Sequence, residues 1–111
     1  MDRTKKILSL MGLAVRGRNL TSGEDQVLDA IRSGKAMLVV VAEDASDNTK
    51  KLFSDKCTYY EVPVRFFGKR EELGAAIGKE TRASMAVTES GFAKKLVTLI
   101  DEEDSSDERM F

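Results

Sequence analysis

The sequence predicts an α/β fold, a three-layer α/β/α sandwich around a central sheet of about four strands. Three observations carry that expectation. Stretches with apolar residues at helical spacing alternate along the chain with short apolar runs of strand length. One such run, AMLVVVA at residues 36–42, is continuous and rich in β-branched side chains, the pattern of a strand covered on both faces and central in its sheet. The 111 residues suffice for one modest core and not for two. The expected organisation is a single domain over residues 1–100 and a flexible acidic tail at 101–111, whose few apolar groups cannot offset the entropy of ordering it.

Ile7, Leu8, Met11, Ala14 and Val15 recur at helical spacing among Lys5, Lys6, Ser9 and Arg16, which predicts a first helix. GRNLTS, 17–22, breaks that period and leaves room for a short strand at Leu20. In the second helix, Ser22 offers an N-cap hydroxyl, Glu24 and Asp25 suit the positive end of the dipole, Val27 and Ile31 face inward, and Gly34 supplies a left-handed stop. The 36–42 strand is followed by the polar loop EDAS and by a third helix marked by Thr49, Leu52, Phe53, Cys57 and Tyr60. Val62, Val64 and Phe66 then alternate as a strand, and Pro63, unable to donate to a ladder, puts that strand at an edge or itself among the strand's first residues. A fourth helix turns Leu73, Ala76 and Ile77 inward, with Gly74 and Gly78 permitting close backbone packing. The last strand runs through ASMAVT, and the last helix carries Phe92, Leu96, Leu99 and Ile100.

Composition argues against catalysis. The chain has no histidine, which removes the commonest general base, and a single cysteine, which excludes an internal disulfide and a Cys/His zinc site. Cys57 falls four residues after Phe53 on an apolar helix face and reads as a small buried hydrophobe. Glu43, Asp44 and Asp47 read as loop and cap residues in preference to a cation site. No phosphate-loop or dinucleotide fingerprint is present, so no cofactor and no metal are expected. No apolar run nears the roughly 18 residues of a membrane span, and the start has no clear cleavage site, so a cytoplasmic protein is expected.

The net charge of −1 conceals segregation: DEEDSSDER, 101–109, holds six acids and one base, and the remainder has 13 acids against 17 bases. A mildly basic body admits a polyanion partner, although a solvated lysine-rich surface accounts for it equally well. Two polar junctions resist a packing explanation, RGRNLTSGED at 16–25 and GKETRAS at 78–84. If they share one edge of the sheet, Arg16, Arg18, Lys79 and Arg82 form a basic rim around an acid-bearing helix start. The cations suit phosphates, whereas Glu24, Asp25 and Gln26 suit base edges.

The motifs GLAVRGR (12–18), SGED (22–25), KAMLVVVAEDASDNT (35–49), KCTYYEVP (56–63), LGAAIGKETR (73–82) and AVTESGFAKKL (86–96) follow in order over most of residues 8–100. Together they closely resemble the bacterial YlxQ family, relatives of the archaeal and eukaryotic ribosomal proteins of the L7Ae and L30e type. The resemblance implies the α/β/α fold and binding to structured RNA, typically kink-turns, with the ribosome or translation factors as the setting. It also implies a contact motif Gly-x-Asn-Glu-x-x-Lys at the start of the second helix. Gly23 matches it, while Asp25 replaces the asparagine, Gln26 the glutamate and Asp29 the lysine, a reversal of charge. A second contact element falls on Lys79, Glu80, Thr81 and Arg82. The expected contact set is Gly23, Glu24, Asp25, Gln26, Lys79, Glu80, Thr81 and Arg82, with Arg16 and Arg18 as phosphate neighbours. Asp29 keeps a rival open: a protein-interaction adaptor on the same fold with RNA contact weakened or lost. The acidic tail is further expected to compete with RNA for the basic rim.

Overall fold

In the computed structural model, the chain is described from residue 2 to residue 105, and its side chains from 2 to 102. Five helices and four strands alternate: α1 (Arg3–Arg16), β1 (Leu20–Ser22), α2 (Glu24–Arg32), β2 (Leu38–Val41), α3 (Asp47–Tyr60), β3 (Val64–Phe66), α4 (Arg70–Ala76), β4 (Ser84–Val87) and α5 (Ser90–Ser105). The strands lie in the order β1-β4-β2-β3, with β1 and β2 antiparallel to β4, and β3 parallel to β2. The expected central strand is interior. All four residues of β2 are buried, as are those of β4, because each has a strand on both sides and helices over both faces. The helices pack as two sets, α2 with α3, and α1 with α4 and α5.

Pro63 lies just before β3, which is an edge strand as expected, and its carbonyl accepts from the Val39 N–H at 2.9 Å. The core is filled by Ile7, Met11, Ile31, Phe53, Leu73, Met85 and Leu96, all at most 1% exposed. Two aromatics that mark these elements face outward. Tyr60 is in the final turn of α3 and points outward at 40% exposure, edge-on to Tyr59, while Phe66 is 40% exposed and Phe67, past the strand end, is the buried ring.

The helix ends bring corrections. Ser22 does not cap α2: it is the last residue of β1, paired with Met85, and Gly23 is the N-cap without a side-chain hydrogen bond. Gly34 has φ +80, as its role of left-handed stop requires. Gly78 lies outside α4, where φ +74 serves a turn. The loop acids cap α4 and its approach: Glu43 Oε1 accepts from the Gly68 N–H at 3.2 Å, and Asp44 Oδ1 from the Arg70 N–H at 2.9 Å. Glu89 accepts the Gly91 and Phe92 N–H groups at the start of α5, which holds its carboxyl below the usual carboxylate range.

The boundary expected at residue 100 falls inside α5, which continues to Ser105. Asp101 meets the Arg65 guanidinium through both carboxylate oxygens, at 2.8 and 3.1 Å, at the β3 edge of the sheet. That charge-assisted pair gives the helix a tertiary anchor beyond its last apolar residues. Of the tail expected at 101–111, residues 106–111 lie outside the described part, and with them the expected competition for the basic rim. Among the described residues, no helix is long and apolar enough to cross a membrane.

Candidate nucleic-acid interface

The end of β1 and the start of β4 bring the two polar junctions together. Antiparallel register sets Ser22 against Met85, so the turn into α2 lies beside the loop that enters β4. The Gly23 N–H donates to the Ser84 carbonyl at 3.2 Å, and Arg82 Nε donates to Ser22 Oγ at 3.1 Å. The Ser22 hydroxyl therefore links the junctions instead of capping the helix.

At Gly23, φ +97 and ψ 149 lie in a region almost closed to residues with a Cβ. This backbone lets the chain leave β1 and enter α2 at once. The N–H groups of the first turn have no intrahelical acceptors, and no side chain caps them. Glu24, Asp25 and Gln26 are exposed around them. The helix end thus combines outward N–H donors with carboxylate and amide acceptors, a mixture better matched to base edges than to phosphate.

The loop before β4 is held against α4. Lys79 N–H donates to the Gly74 carbonyl at 2.8 Å, and Arg82 N–H to the Arg70 carbonyl at 3.1 Å. Gly74 makes this approach possible, since a Cβ there would run into the Glu80 carbonyl oxygen and lie 2.9 Å from Thr81 Cα. The close packing expected of this glycine is therefore between helix and loop. Lys79, Glu80 and Thr81 are exposed, while half-buried Arg82 also donates from Nη1 to the Thr81 carbonyl at 2.8 Å. Arg82 is thus both a strut between the junctions and a cation at their surface.

The two arginines flank this centre on different sides. Arg16, at the end of α1, shares a hollow with Ala76, just before the turn into Lys79. Arg18 sits where the chain enters β1 and lines a hollow along α2 with Gln26. Arg32 and Lys35 line that second hollow too, and sequence reasoning missed them. Their only signal was position around the Gly34 stop, where basic residues ordinarily serve the helix dipole.

Cys57 is 1% exposed, and burial pushes its thiol up to about 11. Such a thiol is a poor nucleophile. Cys57 in the folded protein is expected to resist a thiol reagent at pH 8 and to react fully in denaturant; rapid native labelling would contradict its burial.

The comparisons agree with this architecture. The model of the ribosomal protein L7Ae/L30e/S12e/Gadd45 family matches residues 5–97. RNA-binding protein YlxQ of Bacillus subtilis is 52% identical over 92 residues, covering 83% of this chain and 92% of the relative. RNA-binding protein YlxQ of Enterococcus faecium is 43% identical over 87% of this chain and 93% of its own length. A solved Bacillus halodurans protein of unknown function is 48% identical with a TM-score of 0.85, covering 87% of this chain and 98% of that one. A Giardia lamblia 15.5kD RNA binding protein, at 21% identity and a TM-score of 0.75 over 91% of this chain and 90% of its own, shares the fold. On the match across nearly the whole described domain and the identity to the two YlxQ proteins, the chain belongs to the ribosomal protein L7Ae/L30e/S12e/Gadd45 family.

Proposed function

We propose that this chain is a non-catalytic RNA-binding protein that recognises structured, kink-turn-like RNA in the setting of the ribosome or translation, in the cytoplasm. The observation that carries the reading is the junction itself: Arg82 Nε on Ser22 Oγ and Gly23 N–H on the Ser84 carbonyl make one surface from the α2 start and the 79–82 loop. The two YlxQ relatives, both named RNA-binding proteins, support it. In this reading Gly23 to Gln26 address base edges, Lys79 to Arg82 close on the RNA from the loop side, and Arg16 and Arg18 meet phosphates to either side. Asp25 and Gln26 retain hydrogen-bonding groups where the wider family has asparagine and glutamate, while exposed Asp29 removes a cation.

The test is a titration of the protein against a kink-turn RNA and a control with its G·A pairs disrupted, at two salt concentrations. Preference for the intact motif is expected. Equal, salt-sensitive binding to both would leave only nonspecific phosphate attraction, and no binding to either would favour the adaptor reading that Asp29 raises. Gly23→Ala is expected to weaken binding at least tenfold, because the left-handed backbone is strained by about 1–3 kcal/mol once a Cβ is present. A variant that kept full affinity would remove Gly23 from the site.

A further inference from the structure

Along the flank of α2, between that helix and the edge strand β1, lies a hollow of about 560 Å³. Arg18 lines it from the entry to β1, Arg32 from the last turn of α2 and Lys35 from the turn beyond; Asp29 and Gln26 line it from the helix face. The four charged side chains are exposed and have no ion pair among the described residues. Three cations thus share one concave surface with one carboxylate. Arg18 has φ +61, a conformation that favours glycine, and carries instead a long cationic side chain that lines this hollow. That conformation closes α1, with the Arg18 N–H on the Val15 carbonyl at 3.1 Å and the Asn19 N–H on the Ala14 carbonyl at 2.8 Å, a stop at which glycine is the commonest residue.

The ligand chemistry follows from the lining. Three separated cations match the phosphates of one extended strand. A carboxylate among them would repel a phosphate but accept a hydrogen bond, and the donor that an RNA backbone presents between its phosphates is the ribose 2′-hydroxyl. Gln26 belongs both to this hollow and to the α2 end, so the two surfaces are continuous. We infer that the β1–α2 hollow is a backbone site for the RNA strand leaving the α2 end, in which Arg18, Arg32 and Lys35 hold phosphates and Asp29 accepts from a ribose 2′-hydroxyl. The inference rests on the RNA reading above. It makes Asp29, the residue that reverses the family's charge, a determinant of RNA over DNA.

The experiment uses the same kink-turn RNA and a panel of it carrying a single 2′-deoxyribose at successive nucleotides of the stems flanking the loop. Arg18→Gly, Arg32→Ala and Lys35→Ala are each expected to weaken binding about three- to tenfold and to lower the salt slope by about one. Arg18→Gly is expected to leave thermal stability equal or higher, which separates ligand contact from folding. For the unsubstituted protein, one or two deoxy positions are expected to lose about fivefold in affinity, and Asp29→Ala is expected to be insensitive to those same positions. Asp29→Asn, which keeps an acceptor, should retain the sensitivity. If Asp29→Ala tightened binding to every RNA of the panel equally, Asp29 would be a mere repulsive charge and its role overturned. Full affinity and salt slope in all three cation variants would overturn the hollow alone. Absence of binding by the unsubstituted protein would overturn the RNA reading and the hollow with it.

Discussion

Replacing Gly74 with alanine is expected to produce the largest loss in this protein, affecting both stability and the RNA surface. The added methyl group would point into the Glu80 carbonyl and the Thr81 backbone, and neither can yield as the end of a flexible side chain would. Either α4 shifts or the 79–82 loop lifts off it, breaking the Lys79–Gly74 and Arg82–Arg70 backbone hydrogen bonds. Overpacking of this kind costs about 3 kcal/mol or more, which in a domain of this size lowers Tm by roughly 10–20 °C. The displaced loop carries Arg82 away from Ser22, so affinity for a kink-turn RNA should fall at least tenfold even at temperatures where the variant is folded. Thermal melts and titrations on one preparation decide it. A Tm within about 2 °C of the parent would show that the helix–loop contact is not as close as described.

Phe53→Ala should be comparably destabilising and yet leave recognition alone. Phe53 is fully buried on α3, which packs against β2, β3 and α2, whereas the start of α2 is held by the β1–β4 register and the Gly23–Ser84 hydrogen bond. Loss of its ring removes apolar burial and leaves a cavity, about 3–5 kcal/mol in all. Small domains are stable by only about 5–15 kcal/mol, so the variant is best measured in the cold. There its urea midpoint should drop sharply, while its RNA affinity, corrected for the folded fraction, stays within about twofold of the parent. A parallel fall in affinity would mean that the junctions depend on the whole core. Taken together, the two variants separate stability from site geometry.

The fold was legible because its signals are local. β2 announces itself as an unbroken apolar run, and α1 and α2 as apolar positions at helical spacing, since burial on a regular element repeats with that element's period. Pro63 marked β3 as an edge strand or a strand start for an equally local reason, the missing N–H, and β3 is an edge strand that begins just after it. The misreadings come where two parts of the chain compete for one group. Ser22 looks like an N-cap in sequence, but pairing with Met85 extends β1 through it and its hydroxyl goes to Arg82. Asp101 looks like the start of a loose acidic tail, but Arg65, 36 residues earlier, draws it into an ordered helix end.

Residue type and short-range spacing were enough to read the elements, the interior strand, the absence of histidine and the two polar junctions. That the junctions form one surface came from folding alone, because the register that sets Ser22 against Met85 is a pairing across more than sixty residues. Folding also decided what Gly74 accommodates and which cations Arg18 joins. Those partners, Glu80 for the glycine and Arg32 and Lys35 for the arginine, are brought near by packing, which no local pattern in the sequence records.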